Sequence, residues 1–298
     1  MLTATDPYES RLEGPPSTGK RVDPVVWGPK TASPGGTLSA AQVSQFERDG
    51  YLFFPGLLNA AEVERLRVEL DRLRNSPEMR GRDEVIAEPN SGEVRSVFAV
   101  HTLSNLMANL AKDGRLLDVV THLLASQVYL HQSRINYKSG FVGKEFYWHS
   151  DFETWHMEDG MPRMRAISCS VALTENTPNN GPLMVIPGSH RTYVRCAGKT
   201  PENNHLSSLK KQEIGVPSRE ILTQLAEEGG IIAPTGPAGS VLFFECNLMH
   251  GSNSNITPLP RSNVFMVYNS VDNALVDPYC GLKPRPDHIA HRQVNPLG

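Results

Sequence analysis

Residues 146–156 carry the side chains of this chain that are best suited to chemistry. The run Phe-Tyr-Trp-His-Ser-Asp-Phe-Glu-Thr-Trp-His contains a His-x-Asp pair, His149 and Asp151. Two neutral imidazoles and one carboxylate on one side of an Fe(II) ion leave open positions for a cosubstrate and oxygen. A third ligand must come from elsewhere in the chain. His250 is the best candidate because it ends an apolar, strand-like run at 240–250.

The His-x-Asp tripeptide is weak evidence by itself. With ten histidines in the chain, about one His-x-Asp or His-x-Glu is expected by chance, and a second example, His156-x-Glu158, is present. If the segment is extended, alternate side chains share a face, so His149 and Asp151 lie opposite His156. We therefore expect His149 at the metal, with Glu153 on the same face as a candidate partner that orients a ligand.

Arg261 follows His250 by eleven residues and opens the strand-like run 261–268. Arg261, Asn263 and Phe265 share one face of that predicted strand. An arginine at a strand start is more often a surface residue. Near a metal, however, a guanidinium binds a carboxylate bidentately and suits the far end of a dicarboxylate cosubstrate. This pattern predicts 2-oxoglutarate.

A second polar face lies on the predicted strand 127–137. Alternation places Gln132, Arg134, Asn136 and Lys138 on one side of the run Gln-Ser-Arg-Ile-Asn-Tyr-Lys. Four polar groups on one face either meet solvent or line a pocket.

Helices and short strands alternate with turn signals along the rest of the chain. Ser39 with Gln42 and Asn59 with Glu62 have the spacing of capping boxes at helix starts. Apolar residues at helical spacing predict further helices at 103–110 and 116–124. Predicted strands follow at 127–137, 164–174, 183–186, 239–244 and 262–270. These elements predict a mainly β architecture with flanking helices, an antiparallel double-sheet jelly roll.

The domain organisation is expected to be simple. Residues 1–37 are rich in Pro, Gly, Ser and Thr and predict an extended arm or a loose tail, whereas 38–298 read as one domain. Residues 196–216 are polar and read as a long loop, with a lid over the site as a hypothesis.

Composition excludes several classes of function. The net charge of −3 gives no support to nucleic-acid binding, and no stretch approaches the roughly 18 apolar residues of a membrane span. No secretory leader pattern is visible at the N-terminus, so we expect a cytoplasmic protein. Cys169, Cys196, Cys246 and Cys280 are widely spaced, which argues for reduced thiols rather than disulfides or structural zinc.

The order His-x-Asp, distant His, then Arg resembles the non-haem Fe(II)/2-oxoglutarate dioxygenases of the phytanoyl-CoA dioxygenase superfamily. Residues 146–162, which continue through Met-Glu-Asp-Gly-Met-Pro, resemble the signature segment of the ectoine hydroxylases. The similarity extends from about Arg21 to Arg292 and includes Gly-Pro-Leu-Met-Val-Ile-Pro-Gly-Ser-His at 181–190 and Asp-Asn-Ala at 272–274.

The resemblance implies a double-stranded β-helix of the cupin-like kind and a function in compatible-solute metabolism under osmotic stress. Ectoine would be hydroxylated to 5-hydroxyectoine while 2-oxoglutarate and O2 yield succinate and CO2. His149, Asp151 and His250 would be the catalytic metal ligands. A homodimer is expected because the relatives form one.

The resemblance also implies two sets of binding residues. Those assigned to the cosubstrate are Arg261, Ser252, Lys138, Asn136 and Trp148. Those assigned to ectoine, a cyclic amidine that carries a carboxylate, are Gln132, Trp155, Phe244, Asn263 and Phe265. Taken singly, each aromatic is more often core packing than a ligand contact.

Three other hypotheses remain open. A dioxygenase of the same superfamily could act on another small polar substrate. A zinc-dependent hydrolase or isomerase could use the same ligands to activate water, although Arg261 would then have no role. A metal-free binding module on the same fold is the third.

Overall fold

The computed structural model describes residues 6–88 and 91–298. Its helices are α1 Ala40–Asp49, α2 Ala60–Asn75, α3 Val100–Leu103, α4 Asn105–Ala111, α5 Gly114–Leu124, α6 Asp151–Thr154, α7 His205–Ser208 and α8 Arg219–Gly229. A π-helical turn, Trp155–Asp159, continues α6, and 3₁₀ turns lie at Pro77–Met79, Ser189–Arg191 and Val271–Asn273.

The strands are β1 Ser17–Lys20, β2 Tyr51–Phe54, β3 Val85–Ala87, β4 Val94–Phe98, β5 Val128–Lys138, β6 Phe146–His149, β7 Ala166–Ala172, β8 Leu183–Val185, β9 Thr192–Arg195, β10 Val241–Glu245, β11 His250–Ser252 and β12 Arg261–Ser270. The large sheet has seven strands in the order β2-β10-β7-β12-β5-β4-β3, and the small sheet has three in the order β6-β11-β8. Both sheets are antiparallel, so the predicted double-sheet architecture is confirmed.

Alternation along the strands separates two cores. One face of the large sheet, with Val171 and Val264, packs against helix residues such as Leu66 and Leu123. The opposite face meets the small sheet, where Phe265 lies in one cluster with apolar residues of β8 and β10. Because successive strand residues point to opposite faces, the polar side chains of β5 and β12 face the small sheet and not the helices.

The two capping boxes predicted from the sequence are both formed. Ser39 Oγ accepts from the Gln42 backbone N–H, and the Gln42 side chain accepts from the Ser39 N–H. Asn59 and Glu62 form the same reciprocal pair at the start of α2. A cap of this kind satisfies backbone N–H groups that the first helical turn leaves free.

The segment 146–156 is extended only as far as His149. The chain then turns into α6 at Asp151 and into the π-helical turn at Trp155. The prediction of a continuous strand is therefore wrong, because a short aromatic run does not distinguish a strand from a buried helix.

The described part of the N-terminal arm, residues 6–37, is folded against the rest of the molecule. β1 pairs with β9, and Tyr8 is fully buried with its hydroxyl donating to Asp23 Oδ2 at 2.8 Å. Within the described residues no helix combines the length and apolar character that crossing a membrane requires.

Candidate active site

His149, Asp151 and His250 come together at the small sheet. His149 ends β6, His250 begins β11, and the two are register partners. Asp151 is the first residue of α6, and its Oδ1 lies 3.7 Å from His149 Nε2 and 3.9 Å from His250 Nε2. The three ligand atoms lie within 4.8 Å of one another, so a single metal ion fits between them.

A backbone carbonyl orients each imidazole. His149 Nδ1 lies 2.7 Å from the Tyr147 oxygen, and His250 Nδ1 lies 2.9 Å from the Leu248 oxygen. A carbonyl oxygen only accepts, so each Nδ1 must carry the proton and each Nε2 keeps its lone pair. This is how metal-binding histidines are commonly held, with one nitrogen on the metal and the other donating to a fixed acceptor.

The electrostatics of Asp151 and His250 favour the forms that bind a metal. Burial alone would raise the pKa of Asp151, but His250 and His149 outweigh it and hold that pKa below its usual range. Burial, reinforced by His149, lowers the pKa of His250 to about 4. Ser168 Oγ donates to Asp151 Oδ2 at 3.2 Å and leaves Oδ1 free. A charged carboxylate and a neutral imidazole are the ligating states.

Arg261 and Lys138 form a buried pair of basic side chains, here called the cation pair. They are register partners on β12 and β5, each 1% exposed. Arg261 Nε donates to the Gly181 oxygen at 3.1 Å, but its buried Nη1 has no partner among the described residues. Burial and Arg261 lower the pKa of Lys138 to about 5, and burial with Arg95 lowers the pKa of Arg261 to about 10. Within the described residues, neither group has a nearby anion strong enough to offset burial.

Ser252 connects the cation pair to the metal ligands. Lys138 Nζ donates to Ser252 Oγ at 2.7 Å, and Ser252 lies two residues after His250 on β11, a span of about 7 Å along a strand. Asn136 accepts from Ser96 Oγ at 2.8 Å and lines a cavity of about 680 Å³ that His149 also lines. The structure thus brings together four of the five residues assigned to the cosubstrate.

Trp148, the fifth, lies elsewhere. It precedes His149 on β6, so its side chain points to the other side of the small sheet and packs with Ile186, Leu222 and Met249. The structure does not support its assignment to the cosubstrate, and the reason is the two-residue alternation of the strand.

Glu153 is also not beside the metal ligands. Its carboxylate accepts from Ser10 Oγ at 2.7 Å and from the Arg11 guanidinium at 3.0 and 2.9 Å. The expectation that Glu153 orients a metal ligand rested on an extended segment and is corrected by the helix at Asp151.

Gln132 and Trp155 line a small cavity together with His149 and Asp151. Gln132 Nε2 donates to the Ile289 oxygen at 2.7 Å, which fixes the side chain against the C-terminal segment. Trp155 is 3% exposed and packs edge-on against His131. Both residues therefore lie on the metal side, as the sequence predicted.

Phe244, Phe265 and Asn263, which the sequence assigned to ectoine, do not line the large or the small cavity, and Asn263 lines a separate one. Phe244 packs on the His250 ring with centroids 4.9 Å apart, and Phe265 lies 5.1 Å from the Arg134 guanidinium. Asn263 donates to Ser170 Oγ at 3.0 Å, and its buried Oδ1 has no partner in the described chain. Of these three, Asn263 retains an unused acceptor and the two aromatics support metal-side groups.

Arg134 is a candidate functional residue to which the sequence analysis assigned no role, although it placed the residue on the polar face of the strand. It is partly buried on β5 and lines both the large and the small cavity. Its Nη1 donates to Gln132 Oε1 at 3.0 Å, while its Nε finds no acceptor among the described residues. Burial lowers the pKa of Arg134, although Asp151 raises it. The strand alternation of residues 132–138 was the signal that pointed to it.

Residues 196–217, which we call the cover segment, lie over the cavities. Leu209 and Gln212 line both the large and the small cavity, and Val216 lines the large one. A lid at 196–216 stays a prediction. Arg285 of the C-terminal segment also lines the small cavity, and no pattern in its Pro-rich surroundings signalled it.

The family model "Phytanoyl-CoA dioxygenase (PhyH)" matches residues 46–263. The chain therefore belongs to the phytanoyl-CoA dioxygenase family. Among curated relatives it is 55% identical to the ectoine dioxygenase of Stutzerimonas stutzeri over 97% of this chain and 95% of that protein. The ectoine dioxygenase of Halomonas elongata is 53% identical over 96% and 86% of the two chains.

Solved structures agree. EctD of S. alaskensis with 2-oxoglutarate and 5-hydroxyectoine matches with a TM-score of 0.88 and 50% identity, over 98% of this chain and 96% of that one. EctD with bound Fe matches with a TM-score of 0.85 and 48% identity, over 98% and 97%. The family resemblance and the cupin-like jelly roll predicted from the sequence are confirmed.

Proposed function

We propose that this protein is an Fe(II)- and 2-oxoglutarate-dependent dioxygenase that hydroxylates ectoine to 5-hydroxyectoine and releases succinate and CO2. The observation that carries the proposal is the arrangement on β11. His250 stands at its start beside His149 and Asp151, and Ser252 stands at its end beside the cation pair. A metal ion at one end and the Arg261–Lys138 pair at the other, with Arg261 Nη1 free among the described residues, fit the two ends of a 2-oxo dicarboxylate.

The bound iron would supply activation of oxygen, coupled to decarboxylation of the 2-oxo acid. The chain's own residues bind and orient the reactants. His149, Asp151 and His250 would occupy one side of the metal and leave its other positions to the cosubstrate and oxygen. Arg261, with Lys138, would hold the distal carboxylate through its free Nη1. A zinc-dependent hydrolase would leave that buried cation pair without a role.

Ectoine would bind between the metal and the cover segment. The free Nε of Arg134 suits the substrate carboxylate, and the Trp155 face suits the delocalised amidinium cation. Gln132 would add an amide contact from the same cavity wall. Phe244 and Phe265 would support this site through their packing on His250 and Arg134.

Product analysis tests the function directly. Purified protein is incubated with Fe(II), 2-oxoglutarate, oxygen and ectoine, and both hydroxylated ectoine and succinate are measured. Succinate without hydroxylated ectoine would keep the dioxygenase and reject the substrate in favour of another small polar molecule. Neither product from iron-loaded protein would reject the dioxygenase.

Asp151→Ala is the matched variant, because it removes the anionic ligand of the triad. Loss of a residue that merely orients a ligand weakens metal binding about 10- to 100-fold, so loss of the ligand itself is expected to remove both stoichiometric iron and turnover. Retained turnover in Asp151→Ala would contradict the metal site.

We also propose a cytoplasmic location, a catalytic unit of residues 38–298 with an N-terminal arm at 1–37, and a homodimer. The cysteines are free among the described residues, as suits a reducing compartment. The dimer rests on the relatives alone and is tested by light scattering during size-exclusion chromatography, where a monomer mass would reject it.

A further inference from the structure

The N-terminal arm carries a buried arginine that the proposed chemistry does not use. The Arg11 side chain is 1% exposed, and its backbone has φ of 57°, in the left-handed region that few non-glycine residues adopt. A long cationic side chain held in the interior by an unusual backbone conformation needs specific partners.

Its first partners are two carboxylates on the helical turns that follow Asp151. Arg11 Nε and Nη2 donate to the two oxygens of Glu153 at 3.0 and 2.9 Å. Arg11 Nη1 donates to Glu158 Oε1 at 2.6 Å. Among the described residues Arg11 is the one cation in an ion pair with either carboxylate. Burial alone would lower the pKa of Arg11, but Glu153 and Glu158 raise it.

Its second partners belong to the cover segment. Arg11 Nη1 donates to Thr200 Oγ1 at 2.8 Å, and the Arg11 backbone N–H donates to the Cys196 oxygen at 2.8 Å. Gly215, near the end of the cover segment, approaches so closely that a side chain there would overlap the Glu153 carboxylate. One guanidinium thus joins the arm, the helical turns after the metal carboxylate and the cover segment.

Glu158 connects the Arg11 contacts to the small cavity at the metal. It accepts from Asn204 Nδ2 at 2.8 Å. Glu158, Asn204 and Arg285 line both the small cavity at the metal and an outer cavity of about 420 Å³. These three side chains therefore form the wall between the metal site and the outside, and Arg11 holds that wall through Glu158.

We propose that Arg11 is a positioning residue for the substrate side of the active site. It holds Glu158 and the cover segment in the closed arrangement that contains ectoine, and it has no part in binding the metal or 2-oxoglutarate. Arg11 makes no contact with the cosubstrate groups Arg261 and Lys138. Replacing Arg11 should therefore change the KM for ectoine and leave the KM for 2-oxoglutarate nearly unchanged. The identity of the substrate rests on the proposed function.

The kinetic test compares Arg11→Ala and Arg11→Lys with Arg21→Ala. Misplacement of a binding group by about 1 Å costs up to about 100-fold, so the ectoine KM of Arg11→Ala should rise about tenfold or more. Its 2-oxoglutarate KM should stay within about twofold, and Arg11→Lys should recover part of the loss because it restores one cationic donor.

Arg21 is the matched control on the same arm. It is also buried and pairs with a carboxylate, Glu245, at 3.0 Å, and its other bonds go to backbone oxygens outside the cover segment. Arg21→Ala should lower the stability of the protein without raising the ectoine KM relative to the 2-oxoglutarate KM. An equal rise in both KM values of Arg11→Ala, or the same ectoine effect in Arg21→Ala, would overturn the proposal.

Hydrogen exchange tests the role of Arg11 without a measurement of enzyme turnover. Backbone amides of residues 196–217 should exchange faster in Arg11→Ala and not in Arg21→Ala; unchanged exchange would overturn the proposal even if the substrate is not ectoine. If Arg11→Ala does not fold, Thr200→Val removes one cover contact and should shift exchange and the ectoine KM in the same direction. No shift in Thr200→Val would count against the proposal.

Discussion

Lys138 has a pKa far below the ordinary value for a lysine. Burial first, and then Arg261, lower its pKa to about 5 from an ordinary value of 10.5. Between those two values the unfolded chain carries the charge and the folded, ligand-free site does not. A dicarboxylate placed beside Lys138 favours its charged form and raises its pKa again.

We therefore expect 2-oxoglutarate to bind with uptake of a proton at neutral pH. Because binding consumes a proton, affinity should fall as pH rises between about 6 and 9. Calorimetric titration of the Mn(II)-loaded protein, in two buffers of different ionisation enthalpy, measures the uptake. Lys138→Met is the control and should show no uptake; a wild-type value of zero would mean that Lys138 is already charged.

At the residue scale, the sequence named most of the candidate groups because their types were unusual for their surroundings. His149 and Asp151 stood out as a His-x-Asp pair in an aromatic run, His250 as the end of an apolar run, and Arg261 by its position after His250. Arg134 was visible as one of four polar residues on a strand face, but its free Nε depends on neighbours that the sequence cannot locate.

At the element scale, Gly160 explains how the segment after Asp151 ends. Its φ is 80°, a conformation that glycine adopts freely, and an added Cβ would overlap the Val276 carbonyl oxygen. The Val276 N–H donates to the Gly160 oxygen at 2.9 Å, so the two backbones lie in direct contact. The tight approach seats the C-terminal segment against the π-helical turn.

Gly160→Ala is expected to be strongly destabilising. The left-handed conformation alone costs about 1–2 kcal/mol for a non-glycine residue, and the overlap with Val276 adds to this. Gly281→Ala is the matched control, because Gly281 also has positive φ, 74°, but has open space where its Cβ would lie. Urea unfolding should show a larger loss in the free energy of unfolding for Gly160→Ala than for Gly281→Ala. Equal losses would mean that the backbone at Gly160 and Val276 shifts to accept the Cβ with little loss of stability.

Elements were predictable to different degrees for physical reasons. The capped helices and the strands β5, β7, β10 and β12 were predicted because caps and alternation are local signals. Helix α8, Arg219–Gly229, and strand β4, Val94–Phe98, were not predicted. The turn into α6 was missed because a short aromatic run does not distinguish a strand from a buried helix.

At the scale of the whole molecule, ligand binding should raise the free energy of unfolding. His149 and His250 belong to the small sheet and the cation pair to the large sheet, and a metal with 2-oxoglutarate would bridge them. A ligand that binds only the folded state at about 100 times its Kd adds about 2.7 kcal/mol.

Mn(II) and 2-oxoglutarate together should therefore raise Tm by roughly 5 °C or more for a chain of this size. 2-Oxoglutarate without metal should do much less, because one end of the acid would then have no partner. Differential scanning fluorimetry measures both shifts, and Asp151→Ala should lose the joint effect. Equal shifts with and without metal would contradict a site shared by the two ligands.

By itself the sequence determined the residue types, the local caps and the strand alternation, because these depend on neighbours within a few positions. It therefore predicted the double sheet, the three metal ligands and Arg261. Only the tertiary structure decided which face each group meets after a turn. In the folded chain Trp148 and Glu153 lie away from the site for which the sequence proposed them. Arg134 lines the site, and Arg11 contacts Glu158 in its wall. Such contacts join residues far apart in sequence, and burial and charge select them only once the chain is folded.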